Sequence, residues 1–227
     1  MISTILFLIS RRYYRHYPEK AAALQSQVKM VSRIFGLIIV CLAISVFSRS
    51  QVKKLEYQIK RNGDVVGNIQ FSQLTTGSRT TMKLESEVKT RFIFLFTAKA
   101  DEEAVFDNGI MTWSSIYRKL NSNVKADKKT KAKGNSYTIF KGSKTETLNN
   151  YPILYNMLSI YTVEPANISK VYSDNFQQFL DIQKINAQHY KIKFPDGNYN
   201  EYYYDGGICS RVEVHHSLYN ASIERTK

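Results

Sequence analysis

From Lys53 onward, apolar and polar residues alternate along most of the chain. Leu55, Tyr57 and Ile59 alternate with Glu56, Gln58 and Lys60, and Met82, Leu84, Ser86 and Val88 with Lys83, Glu85, Glu87 and Lys89. A strand points successive side chains to opposite faces, so this period predicts strands with one buried and one wet face. Tight-turn sequences separate the runs: Asn62-Gly63, Thr76-Gly77-Ser78, Asp107-Asn108-Gly109, Gly134-Asn135, Lys141-Gly142-Ser143, Pro195-Asp196-Gly197-Asn198 and Asp205-Gly206-Gly207. Asn-Gly tolerates the positive φ that two-residue hairpin turns demand. The pattern predicts a mainly β protein, an antiparallel meander forming a curved sheet or a partly open barrel. No linker interrupts it, so residues 51–227 are expected to form a single domain.

Two stretches depart from the alternation. TRFIFLFTAKA, residues 90–100, holds five large apolar residues in a row, Phe92 to Phe96, and a strand of that composition is apolar on both faces. YPILYNMLSIY, residues 151–161, has apolar residues at 154, 155, 157, 158 and 161. That is helical spacing, with Pro152 near the start where its missing N–H costs nothing. A helical insertion over 151–161 is therefore expected. A second short helix or irregular segment is expected around Tyr172–Leu180. An apolar helix plugging the concave face would shield the aromatic strand; a closed barrel wrapped by its own loops would do the same.

The first fifty residues change the picture of where the protein works. IFGLIIVCLAISVF, residues 34–47, is free of charge, but shorter than the roughly 18–20 apolar residues of a membrane-spanning helix. It has the length of a secretory signal's apolar core, with Arg33 before it and Ser48-Arg49-Ser50 after it. One reading starts the protein at Met30, makes 1–29 a spurious extension and cleaves before Gln51. The other keeps the whole leader and makes 34–47 an uncleaved single-pass anchor, the protein's one membrane contact. Both readings place 51–227 outside the cytoplasm, in a periplasmic or similar compartment. Cys41 lacks the preceding small residue of a lipoprotein signal. Cys209 has no partner in the exported portion, so no disulfide is expected within it.

The chain carries a net charge of +13, and beyond the leader the excess sits mainly in KADKKTKAK, residues 125–133. Those lysines mix with Ala and Thr and no arginine fork accompanies them, so a solvated strand or hairpin is expected and nucleic acid is not.

The order of these segments resembles a known family. A signal-like leader precedes LEYQIKRNGDVVGNI and LESEVKTRFIFLFTAKADEEAVFDNGIM. YPILYNMLSIYTVEP and VYSDNFQQFLDI follow, and YKIKFPDGNYNEYYYDGGICSRVEV closes the chain. The chain is similar to the uncharacterised bacterial envelope proteins grouped as domain-of-unknown-function family 6134. The resemblance covers 51–226 and implies an exported antiparallel β protein, shaped like the open or half-closed barrels of periplasmic lipoprotein carriers. It carries over no activity and no functional residue.

Catalytic signals are sparse. His215 and His216 are adjacent, so they point to opposite faces of a strand and cannot chelate together, although His189 could join one of them across the C-terminal hairpins. No His-x-His or H-E-x-x-H spacing, phosphate loop, dinucleotide fingerprint or nucleophile elbow is present. Asp101-Glu102-Glu103 reads as a solvated strand end rather than an acid pair. No cofactor, metal or catalytic residue is expected. The expected role is a non-enzymatic envelope protein that holds a hydrophobic or amphiphilic ligand, such as a lipid, between sheet and helix, or that docks on an envelope partner. Its candidate ligand-binding residues are Phe92, Phe94, Phe96, Trp113, Tyr155, Leu158 and Tyr161. The alternatives are a structural or assembly module acting through a strand edge or the basic hairpin, and a hydrolase using Asp101–Glu103 or His189 with a C-terminal histidine.

Overall fold

The computed structural model describes residues 50–91, 95–149 and 152–226, which fall in one compact unit, Ser50–Lys227. They form fourteen strands: β1 (Gln51–Arg61), β2 (Asp64–Thr76), β3 (Arg79–Arg91), β4 (Leu95–Asp107), β5 (Ile110–Leu120), β6 (Asn123–Lys133), β7 (Ser136–Lys141), β8 (Lys144–Leu148), β9 (Lys170–Ser173), β10 (Gln178–Asn186), β11 (His189–Lys193), β12 (Tyr199–Asp205), β13 (Ile208–His216) and β14 (Tyr219–Arg225). All lie in one antiparallel sheet ordered β8-β7-β6-β5-β4-β3-β2-β1-β14-β13-β12-β11-β10-β9. Sequence neighbours pair throughout except β8 and β9, which form the two edges, and β1 meets β14, which joins the two ends of the domain. The hairpin turns are where Gly and Asn place them: Asn62 and Gly63 have φ of 51° and 89°, and Asn108 and Gly109 have 49° and 77°.

The sheet curls. β6 and β9 stand eleven places apart in the strand order, yet the hydroxyls of Thr130 and Tyr172 hydrogen-bond at 2.9 Å. Gln177, in the turn after β9, donates its amide to the carbonyls of Lys129 and Phe140 at 3.1 and 3.3 Å. Bulges at Ile59/Lys60, Val105/Phe106, Arg118/Lys119 and Tyr203/Tyr204 supply bends, because an extra residue on one strand raises its local twist.

Inside the curl lies a strap, residues 152–169, that crosses from β8 to β9. It is not the α-helix its spacing predicts. Ile153 and Tyr155 are buried while Leu154 between them is 61% exposed, which is the alternation of an extended chain. Its backbone bonds to the sheet: Met111 N–H donates to the Ile153 carbonyl at 2.8 Å, Tyr172 N–H to that of Tyr155 at 2.9 Å, and Met157 N–H to that of Tyr172 at 3.0 Å. An eleven-residue helix is marginal by itself, and these tertiary bonds outcompete its internal ones. One 3-10 turn, Ser159–Tyr161, is all the helix that forms here. The second expected helix, around Tyr172–Leu180, is the hairpin β9–β10, closed by a turn with Gln177 at φ 54°.

The strap nonetheless plugs the concave face. Ile153 and Leu158 join Tyr57, Phe71, Met82, Phe106, Met111 and Tyr137 in one buried cluster. Tyr155 and Ile160 join Val171, Tyr190, Tyr202, Tyr204 and Val212 in another. Burial of side chains this size contributes about 1.5–3 kcal/mol each, so the plug is part of the core. The lysine-rich strand β6 is interior to the sheet order and not an edge. Lys125, Lys129, Lys131 and Lys133 are exposed, while Ala126 and Thr130 are buried.

Candidate functional site: a recess above the plug

The inner face of the sheet is layered along β4, whose even-numbered residues point inward. Phe106 and Ala104 sit in the packed core with the strap. Glu102 follows, then Ala100, Ala98 and Phe96, all half-buried. Eight residues separate Phe96 from Ala104, about 27 Å at roughly 3.4 Å per residue. The strap packs against the Ala104–Phe106 end of β4, and Phe96, at the other end, is half-buried. Small side chains line the inner face beside Ala98 and Ala100. Across β3 the aligned residues are Ser86 and Val88, and on β2 Gly67 pairs with Val88. Gly67 is obligatory: a Cβ there would meet the Glu87 carbonyl oxygen at 2.3 Å.

The floor of this layer is charged. Arg118, opposite Ala100 on β5, donates to Glu102 Oε1 at 2.7 Å. Glu102 is only 10% exposed, whereas the Arg118 side chain keeps 43% of its surface. Burial acts most strongly on the Arg118 guanidinium and disfavours its charge; attraction to Glu102 and their hydrogen bond outweigh it, so its pKa is held above the ordinary value. The free surface of Arg118 on the inner face, beside half-buried Ala100 and Ala98, defines the candidate recess. Tyr161 is half-buried, edge-on to Tyr57 at 5.3 Å and stacked on Phe71 at 5.5 Å. Burial raises the phenol pKa values of Tyr161 and Tyr202, and Glu102 reinforces both.

A second polar group lies beneath. Asp174 is buried and accepts from Asn156 Nδ2 at 3.1 Å. Asn156 Oδ1 in turn accepts from the Ser159 amide and hydroxyl. Burial, reinforced by the charge of Glu102, pushes the Asp174 carboxyl up to about 7, against the lowering pull of Ser114 and Asn156. Cys209 is fully buried, and burial raises its thiol to about 12, which leaves it inert as a nucleophile at neutral pH.

The residues singled out from sequence divide. Phe96 faces the recess, and Tyr161 lies near its floor. Tyr155 and Leu158 are packed in the core, Tyr155 with its hydroxyl on the Val163 carbonyl at 2.5 Å. Trp113 is on the opposite face, aligned with Val105 and Lys131. Phe92 and Phe94 lie outside the described residues. The acidic triplet is split by the pleat: Glu102 turns inward, while Asp101 and Glu103 face out, Glu103 3.8 Å from Lys83. Sequence reasoning named Glu102 only as one of a solvated acidic triplet and missed Arg118, although the break in an otherwise apolar inward period at Glu102 was a usable signal.

The sequence model of the family described as Domain of unknown function (DUF6134) matches residues 57–226, all of the sheet but the start of β1. The chain belongs to this family. It is also similar to the crystal structure of a beta-barrel-like protein of domain of unknown function DUF1849 from Brucella abortus, at 8% identity. That match covers 78% of this chain and 96% of the other, with a TM-score of 0.48. No curated protein matches the chain. Among the described residues no helix is long and apolar enough to cross a membrane, and residues 34–47 lie outside them.

Proposed function

We propose that this DUF6134 domain is a non-enzymatic, exported binding protein that takes an amphiphile with an anionic headgroup into the recess above its plug. The observation that supports this reading is Arg118, a guanidinium with free surface on the concave face, set between a charged floor and a wall of small and apolar side chains. The headgroup would engage Arg118 alongside Glu102, and an acyl chain would lie along Ala100, Ala98, Val88 and Phe96. Each methylene moved from water to such a wall contributes about 0.8 kcal/mol, so a chain of ordinary length supplies useful affinity without many polar contacts. The export half of the proposal rests on the 34–47 segment.

Titration with a fluorescent fatty acid tests the reading. Saturable binding is expected, weakened at least about tenfold by Arg118→Gln, since a charge-assisted pair contributes about 1.5–3 kcal/mol. Failure of the protein to bind the probe, in a preparation that also carries no endogenous amphiphile, counts against it. That result would favour the assembly reading, in which the exposed edge strand β8 pairs with a partner.

A further inference from the structure

On the face opposite the recess, strands β11–β13 carry the residues most suited to metal ligation among those described. The registers align Glu201 with Glu213, Tyr203 with His189, and Tyr199 with His215. Two carboxylates directly opposite each other on a half-buried sheet face repel, so this pairing needs a compensating cation. Lys191 bonds Glu201 Oε1 at 3.2 Å, and Arg211 lies 3.2 Å from Glu213 Oε1. Each Oε1 atom thereby has a cationic partner. The two Oε2 atoms remain, and the Tyr203 hydroxyl sits between them at 3.3 and 3.1 Å.

His215 completes the group. Its Nε2 is shut off from solvent and makes no hydrogen bond, 3.8 Å from Glu213 Oε2. One ligand atom each from Glu201, Glu213 and His215 lies within 4.8 Å of the others. His189 Nε2 is 3.0 Å from Glu201 Oε2. Stacking holds both rings, His215 on Tyr199 at 4.4 Å and His189 on Tyr203 at 4.2 Å between centroids.

We propose that Glu201, Glu213 and His215 bind a divalent first-row transition ion, zinc above all, on the outer face of β12–β13. One imidazole nitrogen with two carboxylate oxygens is a donor set that zinc accepts at about 2.0–2.2 Å. The shared centre of atoms 4.8 Å apart is reached by small rotamer shifts. His189 and Tyr203 act from behind, fixing the orientation of the carboxylates. Ligation uses the lone pair of His215 Nε2, the atom that geometry leaves without a hydrogen-bond partner. Glu213 and His215 stand two apart on one face of β13, a spacing common to any strand, and only the hairpin register with β12 brings Glu201 to them.

Titration of the purified protein with Zn²⁺ by calorimetry, and with Co²⁺ by visible absorption, tests the assignment. The expected result is one saturable equivalent, with Co²⁺ ligand-field bands. Both His215→Gln and Glu213→Gln should weaken binding at least about tenfold while the far-ultraviolet circular dichroism stays unchanged. Absence of saturable binding in the wild type, or affinity unaltered in both folded variants, overturns the proposal. Should one variant fail to fold, Glu201→Gln supplies the same comparison.

Discussion

The phenol of Tyr137 ties the strap to the sheet: its oxygen accepts from the Ile153 N–H at 3.0 Å and its hydroxyl donates to the Met111 carbonyl at 2.9 Å. Met111 N–H returns a bond to the Ile153 carbonyl at 2.8 Å, so three groups on β5, β7 and the strap satisfy one another away from water. Tyr137→Phe keeps the ring and deletes both phenol bonds. Two buried backbone groups would then be left short of a partner, which costs about 1–3 kcal/mol. Urea unfolding followed by circular dichroism should show a lower midpoint and an unchanged slope.

Asp174 makes stability depend on pH in an unusual direction. Burial pushes its carboxyl in the folded protein up to about 7, from an ordinary value of 3.8. Between those values the folded state holds a proton that the unfolded chain has lost. Its contribution is therefore fully present below the lower value and is lost as the pH rises through about 7. Asp174→Asn should flatten that fall and leave the variant more stable than the wild type at pH 8. Thermal melts from pH 4 to pH 8 check this; a wild-type curve that rises across this window, and is unaltered by the substitution, is the opposite outcome.

Gly67→Ala should be costly although the site is on a strand and its φ needs no glycine. The new methyl would meet the Glu87 carbonyl at 2.3 Å and the Val88 Cα at 2.9 Å, both backbone atoms that move only by parting β2 from β3. Overpacking of this kind costs about 1–3 kcal/mol. The chemical denaturation midpoint should fall, whereas Gly77→Ala, with nothing within 4 Å of its added Cβ, should show only the strain of its positive φ.

Much of the sheet was legible in the sequence because period-two alternation and Asn-Gly punctuation act locally. The turn at Asn62-Gly63 and the strand of Leu55, Tyr57 and Ile59 need no tertiary information. The strap was misread for the converse reason. Its helical spacing mixes Leu154, which faces solvent, with Tyr155 and Leu158, which do not, and what decides its shape is hydrogen bonding to Met111 and Tyr172. The turn at Asn121-Ser122, where φ is 46° and 72°, carries no glycine and gave no signal. Among the candidate ligand residues, alternation alone assigned neither the face of Phe96 nor the end of β4 that the plug would cover. Arg118 is legible only once β4 and β5 are aligned. The outer-face histidines follow the same logic, since His189 and His215 approach Glu201 and Glu213 through the two registers that join β11, β12 and β13.

The central claim is that the recess between Arg118 and Phe96 holds an amphiphile. Native mass spectrometry of the purified protein, paired with organic-solvent extraction of the same sample, measures it directly. The account predicts an adduct in the mass range of an acyl-chain lipid, recovered in the extract and diminished in Arg118→Gln. A bare polypeptide mass with a lipid-free extract, in protein whose circular dichroism shows the folded sheet, would contradict it.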